Sequence, residues 1–338
     1  MQTITREITE PVLLCDEHGR LNPEAKGWSR HPLHIGNLRG RMLRKKKWDY
    51  WCVIGERCAF SATIAHVDYG GGGAAYLLDF DSKRFAQHTA FRFFPKEPVM
   101  PETVGGTITF EHKGLRLNFE STEDRVNMRV YSKALQGKPL SAELVVHRPP
   151  VHETLNVLVP WNDTTFQFTS KQNCLPTEGE VAWGEDRYVF RKETAFAVLD
   201  YGRGIWPYRT AWNWGAFSAR VGEDVVGINM GAKWTDGTGM NENGITVNGV
   251  HHKIFEDLIF DYDTSNFMKP WTIRTASSDR VDLALEPFYD NVSGANLVIL
   301  KSKCHQMFGR FSGALKVAGK TYPIRDVIGW AEENIARW

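Results

Sequence analysis

Two tryptophans on alternate residues, Trp212 and Trp214 in TAWNWGAFSARV, precede a second strand-like run, DVVGINMGAKW, and a polar loop, TDGTGMNENG. Strand alternation puts Trp212 and Trp214 on one face with Thr210, Ala216 and Ser218. In the next run Gly227, Asn229 and Gly231 share a face. Indoles opposed by glycines leave room for something besides protein side chains, and Asn229 there would present a fixed hydrogen bond to a ligand. The same glycines also suit indoles packed from a neighbouring strand, so cavity wall and filled core both stay open. In the loop, Asp236, Asn241, Glu242 and Asn243 fall close together. Paired carboxylates divide general acid and base duties when burial separates their pKa values. Glu242 is therefore a candidate acid and Asn241 a candidate ligand contact, while a turn or capping role is the alternative.

Upstream, LDYGRGIWPY (199–208) is dense in residues that are costly to bury without a partner. An Asp200–Arg203 ion pair would shape the mouth of a pocket, and Tyr201, Trp206 and Tyr208 would supply aromatic surface. Asp200 is a second candidate acid, Arg203 and Trp206 candidate ligand contacts. Tyr208 would donate a hydrogen bond or proton, since an ordinary tyrosine pKa near 10 makes it a poor base. His251 and His252 point to opposite sides of a strand, and the other histidines lack metal-motif spacing, so no metal is expected. Asp68-Tyr-Gly-Gly-Gly-Gly has neither the lysine nor the following helix of a phosphate cradle. With no Walker loop, dinucleotide fingerprint or G-x-S-x-G, no cofactor is expected.

The 338 residues are 42% hydrophobic and 24% charged, with 30 glycines, 12 tryptophans and a formal charge of +1. Glycine and tryptophan together suit a turn-rich β protein with aromatic faces. Near-neutral charge gives no general pull towards nucleic acid or anionic membrane. The local basic run RMLRKKKW (41–48) reads as the solvated flank of the first strand, and no nucleic-acid partner is expected. MQTITREITE lacks an apolar signal core, and no stretch reaches the length of a membrane span, so no stable membrane insertion is expected. Five cysteines without C-x-x-C fit free thiols in a reducing cytoplasm.

The expected organisation is an irregular arm (1–47), a first barrel-like domain (48–150), a linker or crossover (151–185) and a second barrel-like domain (186–338). Alternation in GTITFEHKGLRLNFE predicts a hairpin at Lys113-Gly114, and GRFSGALKVAGKTYPI predicts one at Ala318-Gly319. Only IRDVIGWAEENIARW reads as helix, from Ile328, Ala331, Ile335 and Trp338 at spacings of three and four. Asp-Tyr-Gly recurs at 68–70 and 200–202, a short echo compatible with two related halves. The fold class is mostly β: two antiparallel barrels, each able to close its edges and hold a small ligand, with a short C-terminal helix.

GWSRHPLHIGNL, KKKWDYWCV, LDYGRGIWPYRTAWNWG, GINMG…NENG and GRFSG…GWAEENIARW together resemble the bacterial domain-of-unknown-function 2804 family over most of residues 10–338. A more distant resemblance is to the tandem-lipocalin group of carotenoid hydratases, tocopherol cyclases and AttH-like proteins. That resemblance implies two calycin barrels side by side, several relatives handling isoprenoid molecules. No hydratase or cyclase signature is visible, and the long arm departs from a minimal barrel, so no catalytic residue is carried over.

Two functional readings follow. One is a barrel cavity for a small hydrophobic or amphipathic molecule, lipid or isoprenoid in type, with acid-catalysed hydration, cyclisation or isomerisation as its chemistry. Glu242 or Asp200 would be the acid, Asn229 and Tyr208 would orient the polar end, and Trp212 and Trp214 would face a developing cation. A desolvated indole stabilises such a cation by ~1–2 kcal/mol, roughly one decade in rate. A pure carrier needs the same cavity without the acid. The other reading is a carbohydrate-binding or glycoside-cleaving protein with a Trp-lined groove.

Overall fold

The computed structural model describes residues 2–94, 98–296 and 301–337. The arm carries β1 (Val12–Leu13), a 3-10 turn at Pro23–Ala25, β2 (Trp28–Ser29) and β3 (His34–Ile35). Asn22 caps the turn by accepting from the backbone N–H of Glu24 at 3.1 Å. The arm is not loose. Leu14, Leu21 and Ala25 belong to the core of the first sheet. His34 stacks on Phe168 at 4.6 Å, and burial holds its pKa down at about 4.

The first sheet contains β4 (Lys45–Ile54), β5 (Cys58–His66), β6 (Gly70–Asp79), β7 (Phe85–Phe93), β8 (Gly106–His112), β9 (Leu115–Ser121), β10 (Arg125–Leu135), β11 (Lys138–His147), β12 (Leu155–Asn162), β13 (Thr165–Trp183), β14 (Asp186–Phe190) and β15 (Phe196–Ile205). Its main order is β7-β6-β5-β4-β15-β13-β11-β10-β9-β8, with β12 and β14 also on β13. The second sheet contains β16 (Arg209–Val221), β17 (Asp224–Ala232), β18 (Gly244–Val247), β19 (Val250–Lys253), β20 (Leu258–Asp261), β21 (Trp271–Thr275), β22 (Val281–Asn296), β23 (Lys301–Val317) and β24 (Lys320–Arg337). Its order is β19-β18-β17-β16-β24-β23-β22-β21-β20. All pairings within the two sheets are antiparallel, giving two barrel-like regions, and both expected hairpins are present as β8–β9 and β23–β24. Their turns use positive φ at Lys113 and Gly114, and at Ala318 and Gly319, as tight two-residue connections require.

The terminal helix is absent. Residues 320–337 form β24, paired along nearly their whole length with β23 and, over Arg209–Phe217, with β16. The ladder to β23 and, over residues 329–337, a second ladder to β16 supply the backbone partners a helix would supply internally, so tertiary pairing overrides the local spacing of Ile328, Ala331 and Ile335. The interval 151–185 is likewise not a plain linker, because β12 and β13 occupy it and β13 joins β11, β12, β14 and β15. The Asp-Tyr-Gly echo marks no repeat. One copy lies in the β5–β6 connection and the other in β15, both within the first sheet.

Three apolar layers result from strand alternation. Trp51 and Val53 of β4 point with Phe60, Ile64, Phe166 and Phe168 into the core of the first sheet. Phe217, Ile228, Trp271, Met307 and Phe311 fill the second. The opposite faces meet between the sheets, where Cys52, Tyr76 and Val198 pack against Trp214, Phe308 and Trp330. Burying an aromatic side chain of this kind removes ~150–250 Å² from water, worth roughly 4–6 kcal/mol at about 25 cal/mol per Å² before entropy is charged against it.

Candidate functional site

At one end of the inter-sheet layer the packing opens into a cavity of about 290 Å³. Alternation explains its wall. β4 contributes Lys46, Trp48 and Tyr50, the residues on the face opposite Trp51. β13 contributes Thr169 and Lys171, and β15 contributes Asp200. From the second sheet come Trp212 and Trp214 of β16 and Glu332 and Asn334 of β24, with Trp206, Trp234 and Glu242 from connecting segments. The cavity thus lies between the two sheets, not inside either one.

The indoles build a continuous aromatic wall. Trp206 stacks on Trp234 at 5.4 Å and 22°, Trp161 packs on both at 4.9 and 5.8 Å, and Trp212 lies 6.1 Å from Trp206. Their N–H groups are fixed: Trp206 donates to Gln167 Oε1 at 2.7 Å, and Trp161 to the Trp234 carbonyl at 2.8 Å.

Besides Lys46 and Lys47 of β4, four charged groups line the cavity: Lys171, Asp200, Glu242 and Glu332. Lys171 Nζ sits 3.0 Å from Asp200 Oδ2 and 3.1 Å from Glu242 Oε2, and lies 4.3 Å from the centre of the Trp214 ring. Burial pulls the ammonium down, but Asp200 and Glu242 more than offset it, so Lys171 stays charged. Asp200 accepts from Thr169 Oγ1 at 3.1 Å, and Glu242 accepts from Trp234 Nε1 at 2.8 Å. Burial raises the Glu242 pKa, opposed by Lys171. The fourth group, Glu332, makes no ion pair with a lysine among the described residues. Its Oε1 accepts from Trp212 Nε1 at 2.9 Å, and burial pushes its pKa up to about 7 despite that hydrogen bond and Lys171. A carboxylic acid half-protonated near neutrality in an apolar cavity is equipped to donate a proton.

Of the residues singled out in the sequence, the fold brings Glu242, Asp200, Trp206, Trp212 and Trp214 to one wall. Asn229 stands behind it, accepting from Trp214 Nε1 at 2.8 Å and donating to the Glu242 carbonyl at 2.6 Å. Asn241 lies outside the cavity, bonded to the Glu256 carbonyl and to Lys253 Nζ. Tyr208 is 45% exposed and does not reach the cavity.

The expected Asp200–Arg203 pair does not form. Residues three apart on β15 face opposite sides, and Arg203 is wholly buried on the other face, paired with Asp49 at 2.9 Å. It also donates to the carbonyls of Trp48, Gly202 and Pro101, which makes it a clamp between strands and arm.

Lys171 and Glu332 were not visible as site residues in the sequence. The available signal was the alternation Gln167, Thr169, Lys171 in one run and Trp330, Glu332, Asn334 in the other. The glycines of β17 also have a different purpose from lining empty space. A Cβ on Gly227 would meet Cys174 Sγ, and one on Gly231 would overlap the Glu242 carboxylate. Gly231→Ala should therefore displace Glu242 from Lys171 and Trp234 and cost about 1–3 kcal/mol, measured as a lower urea midpoint. An unchanged midpoint would mean that Glu242 relocates freely.

Two antiparallel, barrel-like sheets thus meet face to face, with a tryptophan-walled cavity between them. The chain belongs to the family described as Domain of unknown function (DUF2804), whose model matches residues 5–338. The fold is similar to that of a protein from Nitrosomonas europaea described as a "putative AttH", with TM-score 0.51, 10% identity and coverage of 87% of this chain and 92% of that one. Kievitone hydratase from Nectria haematococca aligns at TM-score 0.45 and 10% identity, over 87% of this chain and 88% of that one. CghA in its structure with Sch210972 aligns at TM-score 0.44 and 11% identity, over 87% and 88%. No curated protein matches the sequence. Among the described residues no helix is long and apolar enough to cross a membrane.

Proposed function

We propose that the protein binds a small hydrophobic or amphipathic molecule in the inter-sheet cavity and protonates it, with Glu332 as the acid. One observation carries this reading. Among the described residues Glu332 makes no ion pair with a lysine, whereas Asp200 and Glu242 both do, and its pKa of about 7 keeps a usable proton at neutral pH. Protonation of an alkene or carbonyl of the ligand would create positive charge beside Trp212, the indole that already holds Glu332. With both carboxylates ionised, the Lys171–Asp200–Glu242 group carries a net negative charge that would stabilise this cation electrostatically. Capture by water gives hydration, capture by another part of the ligand gives cyclisation, and loss of a neighbouring proton gives isomerisation. Asp200 and Glu242, proposed from the sequence as acids, act in this reading as the fixed counter-charges.

The groove for sugars is less well supported. Sugar stacking needs free ring faces, whereas Trp206 and Trp234 cover one another. Native mass spectrometry of the purified protein, followed by denaturation and identification of released molecules, tests the reading directly. A near-stoichiometric apolar or amphipathic molecule is expected. Oligosaccharide binding at the indole wall, with no uptake of any apolar compound, would replace this reading by the carbohydrate one.

A further inference from the structure

The basic run 39–47 lies beside the cavity and is unexplained by the chemistry within it. Its tip is a tight turn, Gly40–Leu43, with positive φ at Gly40, Arg41 and Leu43. Positive φ is uncommon for a bulky side chain such as leucine. Here it turns Met42 outwards until 81% of it is exposed, with Leu43 about half exposed. A second apolar projection lies close by. Phe94 is 81% exposed and Phe93 60%, at the end of β7.

The β5–β6 connection joins the two projections. Phe94 N–H donates to the Tyr69 carbonyl at 2.9 Å, the Tyr69 ring lies under Lys46 Nζ at 4.7 Å, and Asp68 pairs with Lys45 at 3.1 Å. Val67, in the same connection, and Lys46 and Lys47 line the cavity. Exposed apolar side chains, a cluster of cations and the cavity rim therefore share one end of the molecule. Scattered surface apolar residues need no explanation, but two projections flanked by the exposed Arg39 and Arg41, with Arg44, Lys45 and Lys47 half-buried behind them, have the composition of an interfacial anchor.

We propose that this end docks on an anionic lipid surface, with Met42, Leu43, Phe93 and Phe94 entering the headgroup boundary and Arg39 and Arg41 facing the lipid charges. Docking in this way holds the cavity rim against the bilayer, from which an amphipathic ligand enters without crossing water. The contact is peripheral. It relies on a few shallow apolar anchors plus charge, so it is reversible and sensitive to salt.

Co-sedimentation with phosphatidylcholine vesicles, with and without phosphatidylglycerol, tests the proposal. The protein should pellet with the anionic vesicles at low salt and be released at high salt. Met42→Asp/Phe94→Asp should weaken this binding by about tenfold or more, and Arg41→Glu should weaken it too. All three side chains are exposed, so an unchanged far-ultraviolet spectrum and Tm are expected for the variants. Absence of vesicle binding by the unmodified protein overturns the proposal. So does equal binding by the double variant, or binding of a single-stranded oligonucleotide that displaces the vesicles and ignores the double substitution. Ligand occupancy of the double variant in detergent-free buffer, read by native mass spectrometry, reports on the cavity separately from docking.

Discussion

Glu332→Gln is expected to leave ligand occupancy intact and to slow conversion of the bound molecule by about 10²–10⁴-fold, the usual contribution of a positioned general acid. Glutamine keeps the shape and can still accept from Trp212 Nε1, but it has no proton to give. The unmodified protein should lose activity as pH rises through about 7, when Glu332 ionises. Stability supplies an independent reading. Burial raises the Glu332 pKa from 4.5 to about 7, while Trp212 and Lys171 oppose the shift and Asp200 and Cys304 face the same carboxyl. The folded chain therefore holds a proton that the unfolded chain has released between these values. The associated stability is complete below pH 4.5 and is lost as pH climbs towards 7, by about 3 kcal/mol in all. Glu332→Gln removes this loss, so it should match the unmodified protein at pH 4 and exceed it by up to ~3 kcal/mol at pH 8. Urea titrations across that range decide the matter. Identical pH profiles for the two proteins, together with unaltered turnover, would rule out Glu332 as the acid.

Lys171→Met should produce the largest stability loss in the cavity, about 3–5 kcal/mol at neutral pH, because it strands two carboxylates beside one another in a water-poor wall. Thr169 and Trp234 still donate to Asp200 and Glu242, but neither supplies charge. The loss should shrink as pH falls and Glu242, whose pKa burial raises, takes up a proton. Lys171→Met/Asp200→Asn/Glu242→Gln should regain most of it, since a neutral trio of similar volume leaves no buried charge. Denaturation of both variants at pH 5 and pH 8 gives the comparison, and the triple variant remains informative if the single one fails to fold. A single variant with unchanged midpoint at pH 8 would show that Asp200 and Glu242 do not depend on Lys171.

Much of the architecture is written locally. Alternation in GTITFEHKGLRLNFE and RVNMRVYSK, with left-handed turn residues at Lys113-Gly114 and Ala318-Gly319, marks strands and hairpins because side-chain direction and turn conformation depend on neighbours only. The same rule already separates Asp200 from Arg203, three residues apart on one strand, and should have excluded their pairing. It fails for the tail, where apolar spacing fits a helix and alternation fits a strand. The long ladders to β23 and β16 decide between them.

The indoles Trp206, Trp212 and Trp214 and the carboxylates Asp200 and Glu242 were also legible as a group, since they lie within one short span and bear unusual side chains for a turn-rich region. Lys171 and Glu332 were not, because each comes from a distant strand and is ordinary in its own surroundings. A buried acid is defined by the water it has lost and by the charges opposite it. Both depend on which sheet faces meet, and hydrogen-bond period and turn chemistry carry no information about that. The sequence alone determined most of the strands, the hairpin turns and which residues of a strand share a face, though not that the tail is a strand. The meeting of two sheet faces decided that Glu242 is paired with Lys171 and that Glu332, buried against the Trp212 indole N–H, has its pKa raised to about 7.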